Sequence, residues 1–114
     1  MIHIKIKIPE KVSANASYAS MHWGKRKRLA DLYHNAFLEF KNKYKVEQYP
    51  IEMNFVYTFK SRTLDVDNVS FMTKMCIDGL RYAKIIEDDD YEHLRGLDTK
   101  IQKGTADTID IFIV

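Results

Sequence analysis

Asp65 and Asp67 stand two residues apart in Leu64-Asp65-Val66-Asp67-Asn68, Lys74 and Asp78 follow, and four carboxylates run without a break from Glu87 through Asp88 and Asp89 to Asp90. Two carboxylates about 4 Å apart repel by roughly 4 kcal/mol at an effective dielectric near 20. A cluster of three or four such groups therefore needs full solvation or a divalent cation. Magnesium is suited to such a cluster, because it prefers oxygen ligands, takes a few carboxylates from protein, and fills its other positions with water and phosphate oxygens. The chemistry to expect is metal-assisted phosphoryl transfer.

The elements that must position these groups follow from periodicity. Ile2, Ile4, Ile6 and Ile8 alternate with His3, Lys5 and Lys7, which predicts a strand with one buried face, ended by Pro9. A loop is expected from Glu10 to about Gly24. Leu29, Leu32, Tyr33, Ala36, Phe37, Phe40 and Tyr44 then recur at three and four, predicting an amphipathic helix of some five turns. Ile51, Met53, Phe55, Tyr57 and Phe59 mark a second strand. Val69, Met72, Cys76, Leu80 and Ala83 give a second helix, and two more strands fit 93–103 and 108–114 around Gly104-Thr105-Ala106. The order β-α-β-α-β-β implies an α+β fold, a mixed sheet with two packed helices. Without repeats, low-complexity tracts or linkers, residues 1–114 read as a single domain.

On the second helix, Asp67, Lys74, Asp78 and Arg81 are offset by seven, four and three, which stacks them opposite the apolar stripe. An ordinary structural role competes with the catalytic one for Asp65 and Asp67, because aspartates before a helix are common N-caps. The Glu87–Asp90 run lies beyond the helix's C-terminal end, where negative charge opposes the helix dipole. Its folding back towards Asp65 and Asp67 requires a compensating charge.

Charge is divided along the chain. Residues 1–62 carry 12 Lys and Arg against 5 Asp and Glu, a net +7, and residues 63–114 carry 6 against 11, a net −5. A basic half attracts a polyanion and an acidic half holds cations, so nucleic acid plus metal accounts for the asymmetry. Lys25, Arg26, Lys27 and Arg28 open the first helix, where cations are unfavourable against the dipole unless phosphate is bound there; a solvated basic face is the alternative. Trp23, beside His22, stands outside any stripe and either stacks on a base or enters the core. Asn15 and Ser13 either bond phosphate or order the loop. Lys60 and Arg62, just before the aspartates, can bring phosphate to the acids.

Several classes are disfavoured. The fifth and sixth positions of an EF-hand loop would be Val69 and Ser70, where an oxygen ligand and glycine belong. His3, His22, His34 and His93 have no zinc-ligand spacing, and the lone Cys76 sits among apolar residues as a small buried hydrophobe. There is no phosphate-cradling glycine loop and no serine elbow, so no organic cofactor is expected. No run approaches the roughly 20 apolar residues that span a bilayer, and a cytoplasmic location without membrane partners is expected.

Together, Leu64-Asp65-Val66-Asp67-Asn68, Lys74, Asp78-Gly79-Leu80 and Asp88-Asp89 resemble the signature of the RusA-type Holliday junction resolvases, crossover junction endodeoxyribonucleases found mainly in phages and prophages. Ile8-Pro9, Asn15, His22-Trp23 and Arg26 are similar to the family's opening strand, proline, asparagine and basic loop. The resemblance implies paired catalytic, metal-binding aspartates at Asp65 and Asp67, a third at Asp89 with Asp88 beside it, and a catalytic lysine at Lys74. Lys74 keeps the family's spacing to Asp78 but stands three residues further from Asp67, nearly one helical turn or about 4.5 Å along the axis. The resemblance further implies Mg²⁺, with Mn²⁺ as substitute, a homodimer, and resolution of four-way DNA junctions by paired nicks during recombination and repair. The other readings are a branched-DNA-binding phage protein without catalysis, and a nuclease for flaps or other branched DNA.

Overall fold

Ile4 and Ile6 are buried while His3, Lys5 and Lys7 are exposed, so alternation in β1 (Ile2–Lys7) turns one face inward. A computed structural model describes residues 1–15 and 21–114. After β1 come α1 (Trp23–Phe37) with a 3₁₀ turn at Leu38–Phe40, β2 (Ile51–Phe59), α2 (Ser70–Tyr82), β3 (Leu94–Lys103) and β4 (Thr108–Ile113). The fold is α+β in the predicted order, a four-stranded mixed sheet with two helices. Its strands lie in the order β1-β4-β2-β3. β4 is antiparallel to both β1 and β2, and β3 is parallel to β2. A parallel pair needs a crossover, and α2 supplies it.

One core joins the sheet's inner face to the helices. Met53, Phe55, Tyr57 and Phe59 from β2 and Ile109 and Ile111 from β4 are fully buried, as are Leu29, Tyr33 and Phe37 of α1 and Met72, Cys76 and Leu80 of α2. Burial pushes the Cys76 thiol well above its ordinary range, so it behaves as a core hydrophobe. The helices meet at Gly79, where an added Cβ would stand 2.5 Å from Phe37 Cδ2 and 3.2 Å from the Tyr33 carbonyl. This close approach explains a glycine in the middle of a helix, despite its cost of about 1 kcal/mol relative to alanine.

Both ends of α1 and part of the expected loop differ from the sequence reading. α1 starts at Trp23, inside the expected loop, because the His22 side chain caps it: Nδ1 accepts from the Gly24 amide at 3.0 Å. Its α-helical part ends at Phe37, and Phe40 lies in the 3₁₀ turn with Tyr44 beyond it. The apolar periodicity overshoots because Tyr44 N still donates to the Phe40 carbonyl, keeping both side chains partly buried against the core. Within the expected loop Ala14 and Asn15 have helical backbone, and residues 16–20 lie outside the described residues. Among the described residues no helix is long and apolar enough to cross a membrane.

Candidate functional site

α2 ends in a turn that decides where the acidic run goes. Lys84 N donates to the Arg81 carbonyl at 3.0 Å and Ile85 N to the Leu80 carbonyl at 2.9 Å, the two bonds of a Schellman motif. Lys84 adopts the left-handed conformation this motif requires, with φ 61°. Leu80 and Ile85 are both buried, completing the motif's apolar contact. The chain reverses, Ile85 and Ile86 enter the core, and Glu87–Asp90 returns along the flank of α2.

There the run meets two cations. Lys74 Nζ is 3.1 Å from Asp78 Oδ1 and 3.9 Å from Asp89 Oδ2. Arg81 lies 3.8 Å from Asp78, 3.6 Å from Asp88 and 3.7 Å from Asp89. Lys74 thus reaches Asp89 despite its displaced spacing from Asp67. Asp88 Oδ1 also accepts from the Asp89 amide at 2.7 Å, and that bond, with help from Arg81, holds its carboxyl below the usual range. Arg81 carries no role in the family signature and Asp78 only a spacing. The charged helical face read from the sequence was the signal for both, except that Asp67 lies in the turn before α2 rather than on it.

Asp65 and Asp67 occupy that turn. The Asn68 amide donates to the Asp65 carbonyl at 2.9 Å, and the Asn68 carbonyl accepts from Ala14 at 2.8 Å, fixing the turn to the N-terminal segment. Neither aspartate caps α2: its N-cap is Val69, which makes no side-chain cap bond. Both carboxylates are exposed, and among the described residues no hydrogen bond or ion pair reaches them. Val66, between them, lines an apolar groove of about 210 Å³ with Thr73, Lys74, Ile77 and Leu97. The turn and Lys74 therefore border one depression.

No family model matches the chain, and no curated protein is significantly similar to it. The chemistry of the site rests on its own geometry. Exposed, uncapped carboxylates at Asp65 and Asp67 fit a hard, hydrated cation in kind. In placement the set is incomplete. The structure brings Asp88 and Asp89 to Lys74 and Arg81, and among the described residues no three His, Cys, Asp or Glu side chains stand where they could hold a metal ion.

The basic residues fall into two groups. Lys25, His22 and Arg62 line a cleft of about 620 Å³ with Lys11, Ser13, Glu10 and Leu64, and Leu64 directly precedes Asp65. Lys11, which nothing in the sequence singled out, donates to the Arg62 carbonyl at 2.6 Å and lies over the Phe59 ring. Trp23 is 72% exposed and forms a shallow apolar patch with Ala30 between Arg26 and Lys27. It does not enter the core. Lys27 pairs with Asp31 and Arg28 with Glu10, each at 3.1 Å, so part of the basic run is neutralised within the chain. The Lys60 amide donates to Asp107 at 2.8 Å while the residue stays exposed. Asn15 is exposed and does not line the cleft.

Proposed function

We propose that this chain is a divalent-metal-dependent, structure-selective endodeoxyribonuclease that resolves four-way DNA junctions, acting as a homodimer in the cytoplasm. The observation that carries the reading is the meeting of Lys74 on α2 with Asp89 from the run beyond it, beside a turn whose Asp65 and Asp67 carboxylates have no partner among the described residues. The cationic cleft running up to Leu64 supports it further, because a phosphodiester bound by Lys11, Lys25 and Arg62 would arrive beside Asp65.

Asp65 and Asp67 would hold Mg²⁺ or Mn²⁺, and Asp89, with Asp88 beside it, would complete the set as third ligand on leaving Lys74 and Arg81. When bound, such an ion lowers the pKa of an attacking water and offsets charge on the scissile phosphate. Lys74, an ammonium with three donors, would neutralise the non-bridging oxygens or the leaving group once its hold on Asp89 loosens. Trp23, with Arg26 and Lys27, offers an aromatic surface to a base exposed at the branch. One active site per chain cannot make paired nicks, so a two-fold dimer suits the junction.

The cation pairing of Asp89 favours one other reading, a branched-DNA-binding protein without catalysis. Incubation with Mg²⁺ and a synthetic mobile junction separates the two. Symmetric nicks, lost by more than about 100-fold in Asp67→Asn with junction binding kept, are the expected result; changes one shell further out already cost 10- to 100-fold in metal sites. Tight binding without cutting would establish the binding protein instead, and preferential cutting of flaps would assign a different branched substrate.

A further inference from the structure

Four successive carboxylates must bend between the reversal at Lys84 and the start of β3, and one imidazole spans that bend. The His93 carbonyl accepts from the Ile51 amide at 2.7 Å, which ties its backbone to the start of β2. Its Nδ1 donates to Asp90 Oδ1 at 2.6 Å and its Nε2 lies 3.4 Å from Glu87 Oε2. The ring therefore joins the first and last carboxylates of the run, with Asp88 and Asp89 between them.

Tyr49 braces this arrangement. Its ring meets the imidazole edge-on, with centroids 4.8 Å apart. Its hydroxyl accepts from the Glu87 amide at 2.9 Å and donates to the Val46 carbonyl at 3.1 Å. The Val46 amide in turn donates to Ile85 at 2.9 Å, linking the brace to the reversal itself. Both ring nitrogens donate only in the imidazolium form, and the bond to Asp90 raises the pKa of His93 in the direction that favours that form. The run is thus gripped from α2 by Lys74 and Arg81 and from the sheet by His93.

We propose that His93, braced by Tyr49, is a positioning residue that closes the Glu87–Asp90 bend and so sets where Asp88 and Asp89 stand relative to Lys74. The effect on the loop follows from the geometry alone; the effect on cleavage rests on the nuclease reading. Neither residue touches the reacting atoms. His93 acts by holding both ends of a segment whose own charges would spread it.

The test compares the full chain with His93→Ala by residue-resolved amide exchange and by Mg²⁺-dependent junction cleavage. Exchange at Glu87, Asp89 and Glu92 should accelerate about tenfold or more with β4 amides unchanged, and kcat should fall about 10- to 100-fold with KM nearly constant. Unchanged exchange overturns the proposal, and so does faster exchange with an unchanged kcat. If the wild-type chain cuts no branched DNA, the nuclease reading fails, and exchange alone then decides the role of His93. Should His93→Ala not fold, Tyr49→Phe removes one oxygen and leaves the ring in place; faster exchange at Glu87 supports the brace, and unchanged exchange there overturns it.

Discussion

The two acidic segments flank the same helix and are treated in opposite ways. Before α2, Asp65 and Asp67 have no cationic side chain paired with them among the described residues and lie on the side of the helix N-terminus, whose partial positive charge favours carboxylates. Beyond the C-terminus, where the dipole repels them, Asp88 and Asp89 are gripped by Lys74 and Arg81, and Glu87 and Asp90 by His93. Carboxylates the fold itself must stabilise are paired. The two it leaves unpaired remain available to a ligand, and this contrast is the physical reason to place the metal first on Asp65 and Asp67.

Removing Lys74, which pairs with Asp89 and borders the groove that Val66 lines, should have the largest effect. Lys74→Met is expected to lower junction cleavage by about 10²- to 10³-fold, the usual range for losing one transition-state donor, while stability changes by under about 1 kcal/mol because the lysine is exposed; an intact rate would detach Lys74 from the chemistry. Next comes the reversal that creates the second region. Lys84 holds φ 61°, a conformation that costs a side chain about 1 kcal/mol or more, so Lys84→Gly should raise the free energy of denaturant unfolding by about 1 kcal/mol.

Arg81→Ala releases Asp88 and Asp89 on one side. A loss of less than about 1 kcal/mol is expected, because the arginine is substantially exposed, together with tighter Mn²⁺ binding in a calorimetric titration. Weaker Mn²⁺ binding would make Arg81 an organiser of the site instead of a competitor for it. The smallest effect belongs to Asp65→Ala: thermal unfolding should shift by no more than about 0.5 kcal/mol, since no cap is lost, whereas a loss near 1 kcal/mol would mean that the carboxylate caps after all.

Much of the scaffold is legible in the sequence because β1, β4 and the first part of β2 each bury one face, as α2 does. Alternation in β1 and β2 and the stripe of α2 follow directly from that, and the elements come in the predicted order. The strand order is harder to read, since β4 inserts between β1 and β2 through pairings 50 or more residues apart in the chain. The overshoot of α1 arises because Phe40 and Tyr44 keep a helical spacing after the α-helix has ended.

At the site, Lys74's reach to Asp89 depends on the reversal at Lys84. A glycine there would have announced that turn, and a lysine conceals it. The His93–Tyr49 brace joins residues 44 positions apart, beyond any local pattern. The exposure of Trp23 is consistent with its place outside the apolar stripe, although the sequence left burial equally open.

The most direct measurement is the binding of Mn²⁺ to the wild-type chain, Asp67→Asn and Asp89→Asn, followed by the paramagnetic signal of the free ion. If the two acidic segments share a cation, the wild type binds it and each substitution weakens binding by about tenfold or more. Equal binding by all three proteins, or weakening by only one of the substitutions, would contradict a site built jointly from the two ends of α2.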